Sequence, residues 1–424
     1  MGMTIAEKIL AAHCGRDRVR PGEYVSAKVD LLVGNEGSTI LCIEEFEDIG
    51  AERVYDRDKI FLVMDHEAPN RSIISAEVCR KIREFARKHQ ITHFYEVGLM
   101  GISHVMAPER GLVGAGDFVV GGDSHTVTYG ALGAFSTGVG STDMLSAMVL
   151  GELWMRVPET IKIIYSGKPR PGVTGKDIIL YTIGRIGIEG ARYKAIEFAG
   201  ETLEGLSMAD RFTIANMTVE AGAKCGIFTP DQKTIDYMKG RCIRPYQVYR
   251  ADEDAEYEAV LEFDVSDLDY QVAMPHLPEN VMPVSEMMNR DKVWLDQVFI
   301  GSCTNGRLED LRAAANILKD RKTHKNLRLV VIPGSQDVYL DALKEGIIET
   351  LIRAGAAVST PTCGACVGTH MGLLASGEVC AATTNRNFVG RMGHKDSFVY
   401  LVSPAVAAAS AVMGYIAVPE SIPS

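Results

Sequence analysis

The sequence predicts an α/β protein built on parallel sheets. Short apolar, β-branched runs alternate with longer stretches of helical periodicity, the pattern of βαβ units. Five of those runs end in a polar cluster, and open parallel sheets bind ligands outside the carboxyl ends of their strands. A length of 424 residues predicts two or three domains rather than one.

Along the chain, MGMTIAEKIL reads as the start of an amphipathic helix, with no apolar core of a signal peptide. The run Lys59 to Met64 leads into Asp65-His66, and helical spacing follows from Ser75 to His89. Phe118 to Gly122 leads into Asp123-Ser124-His125. From Pro158 the character changes: a strand-like IKIIYSG, an acidic stretch from Ala251 to Glu258, then Pro275, Pro278 and Pro283. These shifts predict three domains, 1–158, 159–282 and 283–424. In the last, Gln297 to Gly301 leads into Ser302-Cys303-Thr304-Asn305. Helices are expected over Leu308 to Lys319 and Asp337 to Arg353. Ala356 to Ser359 leads into PTCGACVGTH, and Val379 to Thr383 into Asn385-Arg386-Asn387. The alanine-rich segment from Ser403 to Val418 is too short for a membrane span and reads as a buried helix.

Hydrophobic residues make up 46% and charged residues 23%, enough apolar material for several cores. The net charge of −11 argues against nucleic acid or an anionic membrane as the main partner. An acidic ligand would have to be met by a few placed arginines. Nine scattered cysteines, an odd number without a secretion signal, fit reduced thiols in a cytoplasm.

Cys363 and Cys366 form a C-x-x-C pair with three possible uses. Structural zinc usually wants two close Cys/His pairs, and only Cys380 and His370 stand nearby. A redox dithiol needs a strand-to-helix turn, which GACVGTHMGLLASG could supply by opening a helix. The third use enlists Cys303 from another strand end. Three thiolates could hold three irons of a [4Fe–4S] cluster, leaving the fourth iron open as a Lewis acid.

GSCTNGRLEDLRAAA, TPTCGACVG, TTNRNFVGRMGH, VGGDSHT and MDH, in that family's order over nearly the whole chain, resemble the aconitase superfamily. The likeness is strongest to its isopropylmalate branch and the homoaconitase-like relatives. It implies three α/β domains around a central cluster cleft, and a hydro-lyase that dehydrates and rehydrates a 2-hydroxy acid, in this branch a step of leucine biosynthesis. It implies Cys303, Cys363 and Cys366 as cluster ligands. Asp65, His66, His104, Asp123, His125 and Glu220 match the catalytic groups. Ser124, Asn385, Arg386 and Arg391 match substrate-binding positions, and Asn216 lies near cluster and histidine. In a helical reading Asn216 and Glu220, four apart, share a face. An arginine fork suits a carboxylate. Ser302, Thr304 and Asn305 are expected to hydrogen-bond near the cluster. Arg307 reads as the start of a solvated helix face, and Glu109 as a solvated loop charge. His13, His89, His93 and His324 read as surface, Cys225 and Cys242 as small buried hydrophobes.

The pattern is departed from at Asn35, where the isopropylmalate branch usually carries histidine and aconitases glutamine. The shorter amide leaves the substrate open between an isopropylmalate-type acid, a homoaconitase-type acid and 2,3-dimethylmalate. Nothing like the serine–arginine loop of the family's swivel domain follows the last helix. The resemblance is therefore to a large subunit that needs a small one carrying that domain, as a heterodimer or larger. Some relatives bind RNA when the cluster is lost; the charge of −11 speaks against that class here.

Overall fold

The structure is a computed structural model that describes residues 2–290 and 292–423. The expected alternation appears as three sheets carrying parallel strands, plus a two-stranded antiparallel ribbon of Tyr24–Lys28 with Glu152–Arg156. The first sheet is all parallel, in the order His93–Tyr95, Ile60–Val63, Leu31–Asn35, Phe118–Gly121, Phe135–Gly138. Its register pairs Asn35 with Val63, and Val33 with Gly121. Because the strands run together and end together, Asn35, Asp65 and Asp123 emerge along one edge.

The second sheet is also parallel: Cys225–Phe228, Ala195–Ala199, Thr160–Ser166, Ala259–Asp264. The third has seven strands. Arg328–Val331, Gln297–Ile300, Val379–Ala382 and Phe398–Leu401 are parallel neighbours, with Ala356–Val358 at one edge. Gln271–Ala273 and Val281–Pro283 join the other edge antiparallel, so this sheet begins upstream of residue 283. Both faces of its central strands are covered, which is why Gln297–Ile300 is wholly buried and reads as a continuous apolar run.

Helices form where periodicity predicts them, over Ile5–His13, Ile73–Lys88 and Leu308–Leu318. Thr4 caps the first, with Glu7 completing a capping box. Pro404–Met413 is the expected buried alanine helix, started by proline and stopped by Gly414 in the left-handed region. Among the described residues no helix is long and apolar enough to cross a membrane.

Some expectations fail, three of them about helices. The helix from Asp337 to Arg353 is two, Gln336–Lys344 and Ile347–Ala354, because Gly346 takes φ 72° between them. GACVGTHMGLLASG opens no helix; Gly364–Val367 is a single 3-10 turn ended by Gly368 in the left-handed region. Asn216 and Glu220 do not share a helix, since Met208–Met217 gives way to a 3-10 turn over Thr218–Ala221. The four histidines read as surface are half-buried: His13 meets Asp30, His89 packs on Phe46 and Phe85, and His324 on Trp294. Cys225 is buried, and Cys242 only half so.

Phe299 is fully buried in the strand that leads to Cys303, and its ring lies under Gly364, where an added Cβ would meet it at 3.3 Å. Phe299→Ala should therefore cost about 3–5 kcal/mol, the usual range for an aromatic lost from a core. A denaturant midpoint unchanged from the parent would contradict this packing.

Candidate active site

Polar groups from all three parallel-stranded regions converge where the first and third sheets face each other. The Asp65 carbonyl accepts from the Cys363 N–H and from Thr362 Oγ1, both at 2.8 Å. Its carboxylate faces inward, with no exposure, taking the Ser103 N–H at 2.7 Å and lying 2.5 Å from His66 Nδ1. Glu36, at the start of the helix Glu36–Asp48, holds this turn from behind by accepting the N–H groups of Asp65, His66 and Glu67. That role could not be read from sequence, because a carboxylate in the first turn of a helix usually faces water and the helix dipole.

Asp123 is the hub. His104 Nε2 and His125 Nδ1 both stand 3.3 Å from its Oδ1, while His66 Nε2 lies 3.5 Å and Asn35 Nδ2 3.4 Å from its Oδ2. Burial opposes charge on this carboxyl, but the surrounding imidazoles outweigh it and hold Asp123 well below the usual range. His66 moves the other way. Burial lowers it, yet the charges of Cys363 and Asp65 and its bonds to both carboxylates raise it well above an ordinary histidine. His104 Nδ1 is 3.0 Å from the Tyr129 hydroxyl, a neighbour that no motif announced. Asn35 also caps its helix by accepting from Ser38, so the residue departing from the family pattern has a backbone duty as well.

From His125 the chain of contacts runs on. Its Nε2 is 2.9 Å from Glu220, whose carboxylate takes Arg386 Nε at 2.7 and 2.9 Å. Burial raises the Glu220 carboxyl, but His125 and Arg386 more than reverse it and leave it lowered. Among the described residues the terminal nitrogens of Arg386 make no hydrogen bond. Arg391 has a buried Nε with no hydrogen-bond partner among the described residues, and its carbonyl lies against Gly368 of the C-x-x-C loop. The Ser124 side chain makes no hydrogen bond among the described residues and lines a separate hollow with Thr137 and Lys224.

The three cysteines are buried together. Asn216 Nδ2 is 3.2 Å and Asn385 Nδ2 3.4 Å from Cys303 Sγ. Ser302 Oγ is 3.4 Å from Cys366 Sγ, which lies 3.5 Å from the Asn385 amide oxygen. Ser302 holds this place at φ 76°, a left-handed backbone that a serine adopts at a cost. Burial pushes the Cys303 thiol up to about 12, and Cys363 well above its usual range. Bare thiolates are thus disfavoured here. Sulfurs surrounded by amide and hydroxyl donors fit a cationic iron–sulfur group that would hold them as thiolates. Cys380 stays in its strand, its thiol near the Ala381 carbonyl.

Two residues differ from their expected solvation. Arg307 is buried, donating to the carbonyls of Cys303 at 2.9 Å and His104 at 3.0 Å, with its guanidinium over Phe212. Glu109 is no loop charge. It ends the helix Ser103–Glu109 beside a 650 Å³ cavity, and burial lifts its carboxyl to about 7.

The model of the Aconitase family (aconitate hydratase) matches residues 7–414. The chain belongs to the aconitase family. Relatives in this family include the 3-isopropylmalate dehydratase large subunits of Moorella thermoacetica and Halothermothrix orenii, 59% and 58% identical, each match covering 100% of both chains. The large subunit 1 of Pyrococcus furiosus is 56% identical, with 99% of each chain covered. The fold is shared with the crystal structure of Thermococcus kodakaraensis aconitase X. That likeness has a TM-score of 0.51 and 16% identity, over 90% of this chain and 88% of that one.

A folded-state carboxyl that is lowered adds stability above its unfolded value and loses it as pH falls through the folded value. Glu220 is such a group, against an ordinary value of 4.5. Glu220→Gln should therefore reduce stability at neutral pH and flatten its loss below about pH 4.5 relative to the parent. Parallel acid-unfolding curves for the two chains would count against the His125–Glu220–Arg386 arrangement.

Proposed function

We propose that this chain is the cluster-bearing large subunit of a 3-isopropylmalate dehydratase, a hydro-lyase acting with a small subunit. The observation that carries the reading is identity of 56–59% over essentially the full length of relatives so named. Homoaconitase-type and 2,3-dimethylmalate-type substrates are the alternatives that Asn35 suggests; the relatives' names favour isopropylmalate.

In this reading Cys303, Cys363 and Cys366 hold a [4Fe–4S] cluster. When bound, the cluster supplies an open iron that acts as a Lewis acid on the substrate hydroxyl. The chain's own residues do the rest. Hydroxide is a poor leaving group, so a positioned proton donor is needed. His66, held between Asp65 and Asp123 with a raised affinity for its proton, suits that task. His104 and His125 share Asp123 as orienting carboxylate, which supports their joining the same proton network. Arg386, already fixed by Glu220 through Nε, keeps its outer nitrogens for a substrate carboxylate, and Arg391 with its unpartnered Nε suits a second contact.

A partner is supported by the words "large subunit" in the relatives' names. Exposed apolar side chains also follow the site motifs: Ile73 and Ile74 after Asp65-His66, Phe388 and Val389 after Arg386. Coverage by a small subunit would bury them and dry the cleft, strengthening each charge contact inside it.

A second reading has one observation in its favour. Donor atoms of Asp65, His66 and Cys363 lie within 4.8 Å of one another, close enough for a single metal ion. The two readings separate on the cysteines. Ser replacing Cys303, Cys363 or Cys366 should each abolish iron retention after anaerobic purification, since a hydroxyl replaces a soft thiolate poorly. Cys380→Ser should retain it. Iron kept by Cys303→Ser but lost from Cys363→Ser would favour the mononuclear site.

Lysine at Arg386 or Arg391 keeps the charge and loses the fork, and should weaken kcat/KM by about 1–3 kcal/mol. Unchanged kinetics at both would remove them from the site. With its iron intact but no partner, the chain should not hydrate 2-isopropylmaleate, dimethylmaleate or cis-homoaconitate, because none of these residues suits abstraction of the weakly acidic α-proton. Turnover should begin on adding a small subunit. Substantial turnover by the chain alone would refute the partner requirement.

A further inference from the structure

Lys176 stands in the first turn of the helix Gly175–Ile186 and has no exposure to solvent. Two general rules oppose such a placement. A cation at a helix N-terminus meets the positive end of the dipole, and an ammonium taken out of water needs compensation. Yet no carboxylate pairs with Lys176 among the described residues. Its Nζ instead donates to two backbone carbonyls, Thr383 at 2.9 Å and Thr384 at 2.5 Å. These are the two residues that precede Asn385, which touches Cys303 and Cys366, and Arg386, which is bonded to Glu220. Its helix is itself anchored, because Asp177 accepts from Thr174 and from the Gln271 N–H of the third sheet. Burial draws the ammonium down to about 7, opposed first by the charge of Cys366 and then by Asp177, Asp310 and Cys303. The lysine thus sits, uncompensated by any direct ion pair among the described residues, behind the two carbonyls that precede the sulfur-contacting Asn385.

We propose that Lys176 is a positioning residue of the cluster site. Its ammonium fixes the segment Thr383–Arg386 by both carbonyls, and it is the buried counter-charge to the thiolates of Cys303 and Cys366. The proposal rests on the cluster reading above. It assigns to the second-sheet region a direct electrostatic part in a site whose sulfurs all come from the third. A cation fixed near an iron–sulfur group stabilises the more reduced, more negative state, so its removal lowers the potential.

The test uses Lys176→Met and Lys176→Gln in the full chain. The iron-free proteins are compared with the parent by amide hydrogen exchange and thermal unfolding. After anaerobic reconstitution, the reduction potential and electron paramagnetic resonance spectrum are measured. The expected result is faster exchange confined to residues 384–387 in the iron-free variants and a more negative potential in the reconstituted ones. Loss of iron by variants whose iron-free melting matches the parent would also support the proposal. A potential equal to the parent's, or faster exchange spread through residues 175–186 with lowered melting, would reduce Lys176 to a tie within the fold and overturn it. Failure of the parent itself to take up iron would instead strike the cluster reading, and this proposal with it.

Discussion

The Asp65 carbonyl, accepting at once from Cys363 and Thr362, joins the first sheet to the third at the point where chemistry is possible. The same residue turns its carboxylate toward His66 and Ser103, so one buried aspartate sets both the distance between the two sheets and the direction of an imidazole. Move Asp65, and the C-x-x-C loop and the proton network would no longer face each other. Glu36 makes this position rigid by satisfying three consecutive N–H groups that would otherwise be buried without partners.

Charge balance shapes the remainder. An acidic protein of net charge −11 concentrates aspartates, glutamates and cysteines in one buried place, which low polarity alone would forbid. The structure answers with cations that each do geometric work as well. Arg386 holds Glu220, Arg307 ties the Cys303 and His104 backbones, and Lys176 ties the segment before Asn385. Their hydrogen bonds go largely to backbone carbonyls, which fixes loops that no regular ladder would fix.

Much of the fold is legible in the sequence, because β-branched runs and helical spacing are local signals. The five polar clusters at strand ends were legible for the same reason. The misreadings are equally physical. Arg307 follows a polar motif and opens a charged helix, so it looks solvated; only the fold puts the His104 carbonyl and the Phe212 ring against it. Glu109 looked like a loop charge until the helix Ser103–Glu109 carried it to the edge of a cavity. The expected long helix after Asp337 ignored Gly346, a single residue whose φ stops the periodicity.

The sequence by itself determined which residue types were available and the order in which they leave the strands: Asp65-His66, Asp123-Ser124-His125, Cys303, Cys363 and Cys366, Asn385-Arg386. It also determined the family, since those motifs recur in order. Only the tertiary structure decided which of them meet. Asp123 faces three histidines, Glu220 bridges His125 to Arg386, and Ser124 borders a separate hollow. The physical reason is that local pattern reports the neighbours along a chain, within a turn or a strand. Hydrogen bonds between residues a hundred or more positions apart depend on how sheets pack, and packing is a property of the whole core.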